Sequence, residues 1–295
     1  MIPLRPNYTL FLLKELQKKS INAYGNREQG QWRLLQDIKV LARAQGNIVF
    51  LLDMKLYVDN YKGFIKEIRK QLYSYLPDAK EESMDGLAHI VIAIDELTVN
   101  RHIIFLFHDF DALFDNPLVD KHYDNEFFDT INTLTARGER FIATTVLPHS
   151  YSKIHITHKT QQYEQEKKEQ KLSWLVCEEV VLPDLTTKEI NDELVQHNLT
   201  LSSKQIAFLI LLVRQHSRPY LLLEFLITKL RLNDPVKVKF RQRVKKWRDL
   251  FDTLEKIPWY KRQYYVKEIL RSLQFKLKNL FKRIANKFKK SSAIV

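Results

Sequence analysis

Two short segments of this 295-residue sequence carry residue types at the spacing of phosphate chemistry. The first, Gly25-Asn26-Arg27-Glu28-Gln29-Gly30-Gln31-Trp32, sets two glycines five apart before a helical pattern. That is the spacing of a loop whose backbone N–H groups cradle phosphates. The chemistry asks for a lysine at 31, to reach phosphate oxygens, and a hydroxyl at 32, to hold Mg²⁺. The sequence supplies Gln31 and Trp32, an uncharged amide and an indole that cannot ligate magnesium. The second segment, Phe107-His108-Asp109-Phe110-Asp111, closes an apolar run. Nucleotide hydrolases hold Mg²⁺ with an aspartate at the end of such a strand and polarise water with the acid that follows. Here His108 takes the metal position, although Mg²⁺ prefers carboxylates, phosphate oxygens and water. Asp109 takes the water-polarising one. Arg27, Lys14 and Arg33 are the cations left to meet a phosphate.

The elements that must position these residues follow from periodicity. Helical patterns cover 8–19, 32–44, 64–76 and 83–99, with Gly46 closing the second and Pro77 the third. Ile48 to Leu52, closed by Asp53, and Ile103 to Phe107 are continuous apolar runs, as expected of strands covered on both faces in a parallel sheet. Arg140 to Thr145 predicts a third strand and Trp174 to Leu182 a candidate fourth, with a helix at 126–136 between the second and third. Strands alternating with helices at these lengths predict an α/β fold. The glutamine-rich, mixed-charge stretch 151–173 reads as an exposed excursion. Helix then follows helix at 188–197, 202–215 and 220–230.

In order and spacing these pieces resemble the STAND-type ATPases of the AAA+ and P-loop superfamily, especially their archaeal and bacterial AAA-like members, over about residues 10 to 231. The resemblance matches Gly25 and Gly30 to the loop glycines and sets Gln31 and Trp32 at its lysine and hydroxyl positions. It matches Asp53 to the polar end of the next strand, His108 and Asp109 to the acidic pair, and Asp111 to an acid just after it. Thr144 or Thr145 falls at the sensor position. Leu182 to Ile190 looks like the entry to a helical lid, and His216 to Leu222 like its later turn. It implies a P-loop-NTPase-like parallel sheet with helices on both faces over 1–183, a small helical lid domain over 184–233 and a basic extension over 234–295. Three separately required groups depart from the pattern, so the expectation is a degenerate ATPase with no catalytic residues and no bound cofactor or metal. A nucleotide-binding ATPase with atypical motifs is the alternative for this body.

The charge points to a partner. From Val236 onward there are 19 basic and 4 acidic residues, a net of +15, against 29 basic and 31 acidic in the first 235 residues. A field focused on one segment predicts an anionic partner. The candidate polyanion-binding residues are Lys237, Lys239, Arg241, Arg243, Lys245, Lys246, Arg248, Lys276, Lys278, Lys282, Arg283, Lys287, Lys289 and Lys290. Alternation from Val236 to Val244 predicts an edge strand or the wing of a small module. The stretch 262–290 predicts a long amphipathic helix with a near-heptad apolar seam. Nucleic acid is the first expectation for the partner and an anionic membrane surface the second. A protein partner, either an active ATPase subunit or a second copy of the chain, completes the set.

Other classes are excluded or disfavoured. The single cysteine, Cys177, rules out an intramolecular disulfide framework and a cysteine-based zinc site. His149, His155 and His158 lack the spacing of a helical metal pair. No apolar run approaches a membrane span, and Met1 to Pro6 lacks the basic-then-apolar order of a signal peptide. The expected location is cytoplasmic and the expected role that of an adaptor, regulator or structural subunit.

Overall fold

The computed structural model describes residues 2–75, 86–90, 92, 102–114, 118–146, 175–232 and 239–255. The chain divides into two compact units, Met1–Leu223 and Glu224–Val295. Of the expected elements, most of the 83–99 helix, the 151–173 excursion and the 262–290 helix lie outside the described residues, as do Lys237, Lys276, Lys278, Lys282, Arg283, Lys287, Lys289 and Lys290.

The first unit is built on five parallel strands, β1 (Ile21–Tyr24), β2 (Ile48–Asp53), β3 (Ile103–His108), β4 (Arg140–Thr145) and β5 (Glu178–Val181). Their order across the sheet is β2-β3-β4-β1-β5. Helices α1 (Pro6–Leu16) and α2 (Gln31–Ala44) cover one face. Helices α3 (Tyr61–Tyr73) and α4 (Asn125–Arg137) cover the other. This parallel sheet flanked by helices is consistent with a Rossmann or P-loop NTPase-like α/β fold. The apolar runs have their cause here. Ile48, Phe50 and Leu52 of β2, with Ile103, Phe105 and Phe107 of β3, enter the core beneath α3 and α4. Val49, Leu51, Ile104 and Leu106 point the other way, beneath α1 and α2. Both faces are buried, so neither can be polar.

Strand β1 is absent from the sequence-based expectation, yet it lies between β4 and β5. It has four residues and one of them is Asn22, so periodicity gives it no signal. Asn22 is fully buried and accepts a hydrogen bond from the Thr145 hydroxyl on β4 at 3.1 Å. The neighbouring strand thus supplies a donor for the side-chain oxygen, while the Asn22 Nδ2 is buried without a hydrogen-bond partner.

The outer edge of β2 is closed by side chains of the α3 segment. Gln71 accepts from the Leu51 N–H at 3.0 Å and donates to the Leu51 carbonyl at 2.8 Å. Two residues along the strand, the Tyr75 hydroxyl accepts from the Val49 N–H at 3.0 Å and donates to the Val49 carbonyl at 3.1 Å. Together they satisfy the groups that a sixth strand would pair, which keeps the edge from templating another chain.

After β5 come α5 (Thr187–Gln196), α6 (Ser203–Arg214) and α7 (Pro219–Arg231). Reciprocal capping boxes start two of them, Thr186 with Glu189 and Ser202 with Gln205. In the second unit α8 runs from Phe240 to Glu255, which corrects the edge strand or wing expected at 236–244 over its part from Phe240 onward; 236–238 lie outside the described residues. Phe240, Val244, Trp247, Phe251 and Leu254 recur at helical spacing, a pattern longer than the alternation. Phe225 and Phe251 pack at 5.4 Å between ring centroids within this unit. None of the described helices is long and apolar enough to cross a membrane.

Gln71→Ala would leave the partly buried Leu51 N–H and carbonyl without their partner. We expect a loss of about 1–3 kcal/mol in urea unfolding, with the larger tendency to self-associate visible by light scattering.

Candidate functional site

The site is assembled where the strands end. In an open α/β sheet, ligands bind beyond the carboxyl ends of the strands, at the switch in strand order. Loop 25–30 leaves β1 at that position, between β4 and β5. Gly25 is pressed against the exit of β5: its N–H donates to the Thr145 carbonyl at 3.1 Å, and a Cβ there would lie 2.6 Å from the Leu182 carbonyl oxygen. Gly30 caps α2 in the left-handed region, at φ 89°, a conformation that favours glycine.

The loop's carbonyls are already engaged. The Gln31 side-chain amide turns back and donates to the Asn26 carbonyl at 2.6 Å. Tyr220 N–H, at the start of α7, donates to the Glu28 carbonyl at 2.9 Å. Arg5 reaches behind the loop, donating to the Gln29 carbonyl at 3.0 Å and the Pro183 carbonyl at 2.6 Å. Its guanidinium is fully buried with Glu189 at 3.8 Å; burial lowers its pKa while Glu189 opposes the shift. Arg5 was not among the sequence candidates, because an arginine near a chain terminus carries no motif. The cations considered there for phosphate are placed elsewhere. Arg33 is buried with Asp37 at 3.1 Å and Glu193 at 3.8 Å, and Arg27 faces Asp111 at 3.9 Å. Lys14 lies exposed on α1.

The two positions expected to hold Mg²⁺ meet each other. The rings of Trp32 and His108 pack edge to face at 5.2 Å. Indole and imidazole thus occupy the corner where a hydroxyl and a carboxylate would share a hydrated cation. Around them the parallel register sets Asp53, last in β2, beside His108, last in β3. The His108 Nδ1 lies 3.5 Å from an Asp53 oxygen and 3.6 Å from an Asp109 oxygen. Lys55, which the sequence did not single out, forms an ion pair with Asp109. Asp109 itself sits at φ 50°, and its N–H donates to the Thr144 hydroxyl at 3.1 Å. The Thr144 hydroxyl thereby ties the end of β4 to the residue that follows β3. Burial raises the pKa of Asp111, with Asp109 adding to the rise and Arg27 and Lys55 opposing it. Burial likewise raises Glu28, and Lys55 counters it. The structure brings together Gly25, Gly30, Gln31 and Trp32 on one side and Asp53, His108, Asp109 and Thr144 on the other. Cys177 lies just before β5, half-buried, its thiol pushed up to about 12 by burial, with Glu179 adding to the shift.

Among solved structures, the chain is similar to DnaA from Aquifex aeolicus bound to AMPPCP, at 19% identity over 86% of this chain and 67% of that one, with a TM-score of 0.48. It is similar to domain III of Thermotoga maritima DnaA at 13% identity over 82% and 89%, TM-score 0.47. It is also similar to Saccharomyces cerevisiae Rif2 at 12% identity over 83% and 88%, TM-score 0.40. No family model matches the sequence, and no curated protein matches it either. The fold assignment rests on the sheet and helices themselves.

Gly25→Ala would force its Cβ against a backbone oxygen rather than a yielding side chain. We expect destabilisation of about 1–3 kcal/mol by urea unfolding, whereas removing the exposed Lys14 side chain should change the midpoint little.

Proposed function

We propose that this is an ATPase-fold protein that does not turn over nucleotide and serves as a docking subunit, engaging nucleic acid through its basic C-terminal segment. The observation that carries the first half is the Trp32–His108 ring contact, since the two rings fill the corner that magnesium chemistry requires. Gln31 adds to it by closing on the Asn26 carbonyl, where a lysine would extend toward phosphate. On this reading the body is a degenerate AAA-like scaffold over 1–183, followed by a lid-like helical region over 184–233 and a basic docking segment over 234–295.

The docking half is supported by charge placement. Arg241, Lys245, Lys246 and Arg248 are exposed along the first nine residues of α8, and the acids Asp249, Asp252 and Glu255 follow them. Arg243 lies over the Trp247 ring at 5.1 Å. A compact cluster of cations on a helix suits phosphate contacts, which give affinity without sequence preference. An anionic membrane or a partner protein is the competing occupant, and binding experiments separate them.

Full-length protein should bind DNA or RNA oligonucleotides with affinity that falls by about 10³-fold or more between ~50 and ~200 mM salt, if six or more phosphates are contacted. Replacing Arg241, Lys245, Lys246 and Arg248 with glutamine should weaken binding evenly across sequences and flatten the salt slope. Tight binding to anionic vesicles with no nucleic-acid binding would transfer the segment to lipid. Binding to neither would favour a protein partner. Separately, titration with Mg²⁺-ATP should show no turnover; measurable hydrolysis abolished by Asp109→Asn would sink the non-catalytic reading.

A further inference from the structure

We propose that Asp53, His108 and Asp109 form a site for one divalent transition-metal ion of the zinc type, bound without nucleotide. From the sequence, His108 stands at a magnesium position, Asp109 at a water-polarising one and Asp53 at the polar end of a strand, with no metal expected. Their joint geometry points to a different ion. One atom from each, an oxygen of each carboxylate and a ring nitrogen, lies within 4.8 Å of the other two. The nitrogen–oxygen separations of 3.5 and 3.6 Å are close to the roughly 3.3 Å edge of a tetrahedron with bonds near 2.0–2.1 Å. They are too long for a good hydrogen bond. The His108 Nδ1 is in fact shielded from solvent and has no hydrogen-bond partner. A shielded imidazole nitrogen facing two carboxylates and bonded to neither is unsatisfied as it stands, and a cation between the three would satisfy it.

The ligands are held by what surrounds them. Asp53 and His108 are register partners on adjacent strands, the most rigid placement the fold offers. The Asp53 carboxylate accepts from the Lys55 N–H at 3.2 Å, and the Trp32 ring fixes the plane of the imidazole. The Thr144 hydroxyl holds the backbone of Asp109 at 3.1 Å. Such outer partners orient metal ligands and tune affinity. An imidazole with two carboxylates suits zinc and its neighbours in the transition series, whereas Mg²⁺ takes oxygen ligands. Half-buried Glu28 and Asp111 add negative charge nearby. The Lys55 ammonium pairs with Asp109 where the cation would sit; its side chain is about half exposed and free to swing into water. Three protein ligands leave a coordination position for water.

The test uses full-length, chelator-stripped protein without nucleotide, titrated with Zn²⁺ in competition with a chromogenic chelator, and with Co²⁺ by visible absorption. We expect one tight equivalent, a tetrahedral Co²⁺ spectrum and no competition from Mg²⁺. Asp53→Asn and His108→Ala each remove a direct ligand and should weaken binding by more than the roughly 10–100-fold that loss of an outer partner costs. Lys55→Met, which removes the competing ammonium, should tighten it. The near-isosteric Asp53→Asn, checked by circular dichroism, guards against a result that reflects unfolding. A variant with His149, His155 and His158 all changed to alanine should bind as the parent does. Absence of Zn²⁺ binding, binding that survives both Asp53→Asn and His108→Ala, or binding lost in the His149, His155 and His158 variant would each overturn the assignment. None of these outcomes depends on whether the basic segment binds nucleic acid.

Discussion

The parallel pairing of β2 with β3 places everything of chemical interest in this chain. Six register pairs run from Ile48 opposite Ile103 to Asp53 opposite His108. The first five are apolar on both strands and buried between two helical layers. Because side chains alternate faces, a slip of one residue would send every buried group to the wrong side. The core therefore fixes the register, and the register fixes which polar groups stand together where the apolar run ends. Asp53 and His108 are neighbours for the same reason that Phe50 and Phe105, three register pairs earlier, stack at 5.2 Å.

The loop after β1 is fixed by a different set of forces. Its shape depends on carbonyls that find donors outside it: Gln31 from α2, Tyr220 from α7 and Arg5 from the segment before α1. A phosphate loop needs its backbone donors and a lysine free to meet an anion. In this chain the residue at the lysine position is spent on the loop itself, and the arginine that comes closest approaches from behind. A buried guanidinium is costly unless paired. Arg5 meets that condition through two carbonyls and Glu189, so the N-terminal segment, the loop and the entry to α5 are tied to one side chain. The polar groups of this loop serve the cohesion of the fold.

Much of this was legible in the sequence. The strands Ile48–Asp53 and Ile103–His108 announced themselves as unbroken apolar runs, because burial on both faces leaves no room for polar residues. Helices α2, α4, α5 and α6 carried their periodicity. What was not legible was short or depended on distant partners. Strand β1 contains Asn22, whose buried side-chain oxygen meets its donor in Thr145, 123 positions away. The edge of β2 is closed by Gln71 and Tyr75, two residues whose type says nothing about a strand. At the site, Gln31, Trp32 and His108 were recognisable as departures, but that two of them touch was not. Lys55 was invisible because a lysine after a strand has no signature until Asp109 is seen beside it.

The contact between Trp32 and His108 also explains why the two departures belong together. An indole at the hydroxyl position would crowd a hydrated magnesium held by an aspartate at 108, and an aspartate there would meet an aromatic edge in place of a hydroxyl. With histidine at 108 the rings pack edge to face, an arrangement worth about 0.5–1.5 kcal/mol beyond the area buried for aromatic pairs. Reverting either position alone would therefore lose the ring contact without restoring a magnesium site. In the observed arrangement the imidazole turns its shielded nitrogen toward Asp53 and Asp109, and its ring is braced by the indole.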